Sequence, residues 1–367
     1  MHGNGPKVII TSMRIGIDIT SIESSPAGIG QYTKNLIGAV FKIDHDNEYY
    51  LFSKSKYDSN QKNVHNEVVK VSNSLPFKGT RWMIKVARIA KKKNLDLLVS
   101  PSNHLFAILF PRTITIIHDL APVYFPQYFS LKGVLSYKIG LRLFVPHSYK
   151  IIATTETVKK DIINYCGVHT DKIFIVSPSL NNAIQANTGN SINVNLPKEY
   201  ILTISTIQPR KNIIALVDGF TYYVKHNQDH DLNLIIIGRL GWKYKSVLKK
   251  INENDLKDRI KVLGYVDDYK TAGILKRAQA FAYLSKYEGF GMPILEALAY
   301  NLPVVANDIP CFRDVFGNSL IYVDAARPEA IASGLKTAIS APHVPKFDMS
   351  KYSWEKSAKV LLNLINS

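Results

Sequence analysis

Short runs of β-branched residues alternate with longer amphipathic runs along nearly the whole chain, and this alternation leaves few folds open. Candidate strands fall at 14–19, 97–100, 113–117, 150–154 and 173–176, and a second series at 200–205, 233–237, 260–263, 280–284 and 304–306. Helix-like stretches lie between them at 32–41, 80–93, 157–165, 213–226 and 293–300. Strands separated by helices pair in parallel, and a parallel sheet needs helices on both faces. A chain of 367 residues has room for about two domains of roughly 100–200 residues each. The expected fold class is therefore α/β, with two doubly wound, Rossmann-like domains facing a central cleft. The first domain is expected over 13–183 and the second over 196–351. The polar, asparagine-rich stretch 181–195 shows no periodicity and reads as an interdomain linker, set at about 184–195. The first clear strand follows Met13, so residues 1–12 read as an extension.

Charge narrows the partners. The formal net charge is +17. Residues 1–184 hold 23 Lys/Arg against 12 Asp/Glu, so the first half carries most of the excess. An anionic partner follows: nucleic acid, an acidic membrane face or a phosphorylated substrate. The two cysteines, Cys166 and Cys311, form no metal spacing and no disulfide framework, which points to a reducing, cytoplasmic setting. No apolar run reaches the length of a membrane span, and the N-terminus lacks the pattern of a secretory signal.

In open parallel sheets, ligands bind beyond the carboxyl ends of the strands. Several residues sit there. Q-P-R-K-N follows the strand ending near Ser205 and sets Arg210 and Lys211 side by side. An arginine fork beside a compact ammonium suits a diphosphate, although a solvated basic turn would use the same residues. Gly238 and Gly241 follow the next strand and suit a tight turn or a close backbone approach. Gly264 ends a strand, and Tyr265 is placed to lie against a flat base. Asp267 and Asp268 read as a helix N-cap rather than a metal site.

The stretch Y-E-G-F-G-M-P-I-L-E-A-L-A, at 287–299, carries the most chemistry. Gly289 and Gly291 let the chain bend into a helix whose N-terminal N–H groups attract anions. Glu296, expected in or near the first turn, suits ribose hydroxyls, and Glu288 suits sugar hydroxyls. Dipole complementation by Glu296 beside a solvated Glu288 would fit the same spacing. In the first domain Gly28 and Gly30 precede a helix without forming a dinucleotide fingerprint. His118 and Asp119 follow a strand directly, and His118 is a candidate cleft histidine.

Taken in order, G-I-G-Q-Y-T, I-H-D-L-A-P, I-I-A-T-T-E-T-V-K-K-D, Q-P-R-K-N-I and Y-E-G-F-G-M-P-I-L-E-A-L-A resemble the family-4 retaining glycosyltransferases of GT-B fold, in the mannosyltransferase-like group. The resemblance runs from Met13 to Y-S-W-E-K-S-A at 352–358, which resembles the terminal helix (352–367) that returns to the first domain. It implies a nucleotide-sugar donor in the second domain and an acceptor in the first. Arg210 and Lys211 then match the cations on the diphosphate, Glu296 the ribose contact, Glu288 the sugar contact and His118 the cleft histidine. Gly28 and Gly30 match the glycine loop. Ser205, Gly238, Tyr265, Gly289, Phe290, Gly291 and Met292 complete the implied donor-binding set. The stretch V-S-P-S-L-N-N departs from the family pattern, because many relatives have an N-G turn there. The resemblance implies no cofactor and no metal. Donor favoured is GDP-mannose, with UDP- and dTDP-sugars as rivals. The implied acceptor is a hydroxyl of a lipid-linked glycan or polysaccharide in O-antigen- or capsule-like synthesis.

One further feature is the run G-T-R-W-M-I-K-V-A-R-I-A-K-K-K, which puts Arg81, Lys85, Arg88 and Lys92 on one helical face, with Trp82 near its boundary. A basic amphipathic helix in the acceptor domain suits anionic lipid at the inner face of the cytoplasmic membrane, and a solvated face suits it as well. A nucleic-acid binder is suggested by charge alone, but no nucleic-acid module is recognisable, so no nucleic-acid partner is expected. An inactive sugar-nucleotide-binding protein would keep the same residues.

Overall fold

The computed structural model describes residues 12–24, 28–59, 61–73, 76–180, 195–227, 231–340 and 347–367. The expected linker, apart from Asn195, lies outside them.

Thirteen described strands form two parallel sheets. The first contains β1 (Arg14–Asp18), β2 (Glu48–Ser53), β3 (Val64–Val68), β4 (Leu97–Ser100), β5 (Thr113–Ile117), β6 (Lys150–Ala153) and β7 (Ile173–Ile175) in the order β3-β2-β1-β4-β5-β6-β7. The second contains β8 (Tyr200–Ile204), β9 (Asn233–Ile237), β10 (Ile260–Gly264), β11 (Ala280–Tyr283), β12 (Val304–Asn307) and β13 (Ile321–Val323) in the order β10-β9-β8-β11-β12-β13. Each order reverses once, beside β1 and beside β8, which is the signature of doubly wound sheets. Central strands such as β5 are buried along their whole length. Both of their faces are covered, so their sequences read as unbroken β-branched runs.

The helices used below are α1 (Thr20–Ser24), α2 (Ile29–Ile43), α3 (Lys78–Lys92), α4 (Phe106–Leu109), α5 (Ala121–Tyr124), α6 (Leu131–Ile139), α7 (Glu156–Cys166), α8 (Ile213–Asn227), α9 (Lys245–Asn252), α10 (Asp268–Arg277), α11 (Met292–Ala299), α12 (Pro310–Phe316), α13 (Pro328–Ser340) and α14 (Trp354–Asn366). On one face of the first sheet, Ile15, Ile17 and Val99 pack against Leu36 and Val40 of α2 and against Trp354, Ala358, Leu361 and Ile365 of α14. The last helix of the chain thus belongs to the first core. Ser353 caps it by accepting from the Lys356 N–H, and Trp354 Nε1 donates to the Leu180 carbonyl at 2.8 Å. On the opposite face α3 and α4 bury Trp82, Val86, Ala90 and Phe106. Trp82 is fully inside rather than at the edge of the basic face.

Three strands have no counterpart in the sequence reading: β2, β3 and β13. β3 is an edge strand, V-H-N-E-V, half-exposed and polar, so no apolar run marks it.

Candidate active site

The carboxyl ends of the two sheets meet. From the first come the turn after β5, with His118 and Asp119, and the start of α7. From the second come the turns after β8 and β11. Gly289 makes the approach possible: a Cβ there would stand 1.8 Å from the His118 carbonyl oxygen, so no other residue fits without separating the lobes. The Thr154 hydroxyl lies 2.8 Å from the Gly289 carbonyl and 3.1 Å from that of His118. The Tyr287 hydroxyl accepts from the Leu120 N–H at 3.2 Å and donates to Asp161 at 2.5 Å. Thr157 donates from both its N–H and its hydroxyl to Asp314 of α12.

Beneath this seam lies a buried charge cluster. Pro209 opens a 3₁₀ turn over Pro209–Lys211, and Asn212 leaves it in the left-handed region with φ 56° before α8 begins. The turn is tied to the β11 loop because the Lys286 N–H donates to the Arg210 carbonyl. Arg210 and Lys211 thereby point at the β11 loop. The Lys211 ammonium is bonded to Glu288 and donates to the Tyr283 hydroxyl at 2.7 Å. Arg210 bonds the Tyr287 carbonyl and lies 3.5 Å from Glu288. Tyr283 donates to Glu288 at 3.2 Å. Burial alone would raise the Glu288 carboxyl, but Lys211 and Arg210 outweigh it and hold it down at about 2. Lys211 moves down, because burial exceeds the help it gets from Glu288. Glu288 thus faces two cations, on both of which the Asp119 carboxylate also acts, and Arg210 Nε and the Ser205 hydroxyl are buried without a hydrogen-bond partner among the described residues. Unmatched buried donors of this kind suit an anionic oxygen ligand.

His118 sits across the seam. Its Nε2–H donates to the Pro101 carbonyl at 3.0 Å, which leaves Nδ1 as an acceptor. Burial drops its pKa to about 4, so the ring is neutral at physiological pH. Tyr32 stands edge-on to it at 4.8 Å and anchors α2 by donating to the Val176 carbonyl at 2.8 Å. Gly28, with φ 60°, and Gly30 open that same helix. The departing stretch after β7 is knitted into the fold: Ser177 donates to the Thr154 carbonyl and accepts from Ser357 of α14.

The other expected residues divide. Gly238 is a packing requirement, since a Cβ would stand 1.8 Å from the Ser205 carbonyl oxygen. Asp267 caps α10 by accepting from the Lys270 N–H at 2.8 Å. Tyr265 is exposed, and the Arg239 guanidinium lies 4.4 Å above its ring, a stacking partner that the sequence did not flag. Gly291, with φ 105°, starts α11. Glu296 falls in the second turn of α11, not the first, so it does not complement the helix dipole. Burial, then Asp268, raises its carboxyl to about 8. The Phe290 side chain is turned into the second core against Phe316 and Tyr352, so any ligand contact there is left to its backbone, and Met292 packs partly against the same core. On α3, Lys85, Arg88 and Lys92 are exposed, Lys85 donating to the Lys70 carbonyl at 2.9 Å, and Arg81 donates to the Pro76 and Ser72 carbonyls.

Sequence reasoning missed Tyr283, Tyr287, Thr154 and Asp161. Tyr287 stood inside the most informative motif. Thr154 and Asp161 stood inside the quoted run at 151–161, but their partners Gly289 and Tyr287 lie on the other lobe, and Tyr283 ends β11, where only the folded second lobe brings it to Lys211 and Glu288.

Comparison with known proteins agrees with this geometry. The family model described as Glycosyltransferase Family 4 matches residues 26–182, and that described as Glycosyl transferases group 1 matches 185–355, so together they take in every described strand except β1. The chain belongs to the family-4 glycosyltransferases of GT-B fold. This glycosyltransferase is 26% identical over 361 residues to the O-antigen chain mannosyltransferase RfbU of Salmonella typhimurium, covering 95% of this chain and 98% of that protein. It is 22% identical over 304 residues to the serotype-specific mannosyltransferase WbdA of Escherichia coli, matching 73% of this chain and 36% of that longer protein. Among solved structures, WaaG, a glycosyltransferase involved in lipopolysaccharide biosynthesis, superposes with a TM-score of 0.67 at 12% identity over 96% of this chain and 95% of its own. A glycosyltransferase from Rickettsia africae gives 0.66 at 17% identity, over 96% and 94%. At such identities the structural likeness concerns the fold.

Proposed function

We propose that this glycosyltransferase moves mannose from GDP-mannose to a hydroxyl of a lipid-linked or polysaccharide acceptor in the assembly of an O-antigen-like surface glycan. The observation that carries the reading is the buried set Arg210, Lys211 and Glu288 with its unmatched guanidinium Nε, at the carboxyl end of the second sheet and across the seam from His118. The names of the relatives support mannose and O-antigen.

Breaking the anomeric bond places negative charge on the departing diphosphate. In this reading Arg210 and Lys211 stabilise that charge as it develops, together with the N–H groups that open α11, and no metal ion is required. The diphosphate competes with Glu288 for both cations. Glu288 is then free to accept from sugar hydroxyls, and Glu296 contacts the ribose. The acceptor hydroxyl attacks the face from which the diphosphate leaves. The new C–O bond retains the anomeric configuration, and the hydroxyl proton passes to a leaving-group oxygen. His118 is neutral and donates through Nε2, so it acts through Nδ1 as a hydrogen-bond acceptor that orients a sugar hydroxyl. The membrane is expected at the first lobe, with Lys85, Arg88 and Lys92 facing anionic lipid.

The test is thermal-shift screening against GDP-, UDP-, ADP- and dTDP-sugars, followed by NMR of the product anomer. The expected result is selective stabilisation by GDP-mannose and an axial product linkage. Selective stabilisation by UDP or dTDP moves the donor to that class. An inverted product, or a glycosyl ester trapped on Glu288, overturns the mechanism.

A further inference from the structure

We infer that α6, with the turn that continues it, is an insertion element that seats this glycosyltransferase on an anionic bilayer. The observation is an apolar stripe that the described residues leave exposed. Leu131, Leu135, Ile139 and Leu143 are spaced four apart and are 88%, 62%, 39% and 60% exposed. Four-residue steps drift around an α-helix, but a π turn over Gly140–Phe144 is wider and offsets that drift, keeping Leu143 in line. The opposite face of the same segment is also apolar and is already satisfied. Val134 and Leu141 are buried, and a Cβ on Gly140 would stand 2.9 Å from the His104 ring. A helix that is apolar on both faces calls for two apolar neighbours, and the described residues supply one.

Charge identifies the second neighbour. Residues 131–144 contain Lys132, Lys138 and Arg142 and no acidic residue. α4 packs against both α3 and the Gly140–Phe144 turn, so all three lie on one side of the first sheet, with Ile108 of α4 48% exposed between them. α3 brings exposed Lys85, Arg88 and Lys92 and no acidic residue. Its apolar residues Trp82, Val86, Ala87 and Ala90 are buried, Met83, Ile84 and Ile89 are half-buried, and none is exposed, so α3 attracts anions but has little to insert. The leucine stripe inserts and the lysines and arginines flank it, which is the arrangement of a helix lying in a lipid interface. No described helix is long and apolar enough to cross a membrane, so the seat is peripheral.

The seat is coupled to the cleft. The Tyr137 hydroxyl on the inner face of α6 donates to the Asp119 carbonyl at 2.6 Å, one residue from His118. An acceptor carried in the bilayer would therefore be presented beside the proposed reacting position. That purpose rests on the donor and acceptor reading above, but the docking itself does not.

The test is co-sedimentation of the full chain with vesicles of phosphatidylethanolamine and phosphatidylglycerol, against phosphatidylcholine alone. The triple variant Leu131→Ser, Leu135→Ser, Leu143→Ser changes only exposed side chains and should lower partitioning at least about a hundredfold. Lys85→Glu with Arg88→Glu should weaken binding only at low salt. A Leu135→Trp variant should show blue-shifted emission with anionic vesicles. Wild-type partitioning by the triple variant overturns the inference. So does a wild-type chain that ignores vesicles but sediments as a dimer which the triple variant breaks, since the stripe is then a subunit interface. GDP stabilisation of the triple variant is measured in parallel. If it persists while vesicle binding is lost, the docking result stands apart from the donor reading, and if GDP fails on the wild type as well, only the donor reading falls.

Discussion

Replacing Glu288 by Gln removes one charge from the buried cluster and leaves its shape intact. The Glu288 carboxyl is held at about 2 against an ordinary 4.5. At about 1.4 kcal/mol per pH unit, that depression corresponds to about 3 kcal/mol of folded-state stability at neutral pH. The side chain is only 10% exposed, so solvent screening takes little of it away. The sign is that of a depressed acid: the contribution is complete above pH 4.5 and is lost as pH falls towards 2. The Glu288→Gln variant should therefore be destabilised by about 3 kcal/mol at pH 7 and should lack that acid limb. Adding GDP separates structure from function. In the wild type the diphosphate must displace Glu288 from Arg210 and Lys211. In the variant those cations have no carboxylate paired with them, so GDP should stabilise the variant more than the wild type. Urea unfolding with and without GDP measures both numbers, read on the transition that GDP shifts, because two domains need not unfold as one. Equal stabilisation of the two proteins by GDP, or an undiminished variant stability in its absence, would refute the reasoning.

Other outcomes follow from the same geometry. Arg210→Ala and Lys211→Ala should each lower kcat by about 10²–10³-fold in a transfer assay, the scale for removing one preorganised stabiliser of developing charge. Gly289→Ala places a methyl 1.8 Å from the His118 carbonyl, so it should part the lobes, abolish transfer and increase the radius of gyration in X-ray scattering. Glu296, raised to about 8, costs folded-state stability progressively as pH rises from 4.5 through 8. Glu296→Gln should therefore be the more stable protein at pH 8, with the advantage gone near pH 4.5, as followed by thermal unfolding across pH.

The two sheets were legible because central parallel strands are buried on both faces, so their β-branched runs stand out in the sequence. β5 and β9 were located to the residue. β3 was not, since an edge strand needs no apolar run. Of the site, Arg210, Lys211, His118 and Gly289 could be placed at strand ends from the sequence. The pairing of Glu288 with both cations could not, because the residues lie 77 and 78 positions apart and nothing local encodes the contact. The same holds for the Phe290 side chain: a motif marks its position, but only packing decides that it faces the core. The α6 stripe escaped notice because both of its faces are apolar, so it reads as an ordinary buried helix.

The most direct test is a crystal structure with GDP bound. The account predicts diphosphate oxygens within about 2.7–3.0 Å of both Arg210 and Lys211, with Glu288 drawn away from at least one of them. Phosphates seated elsewhere, with both cations still closed on Glu288, would contradict it.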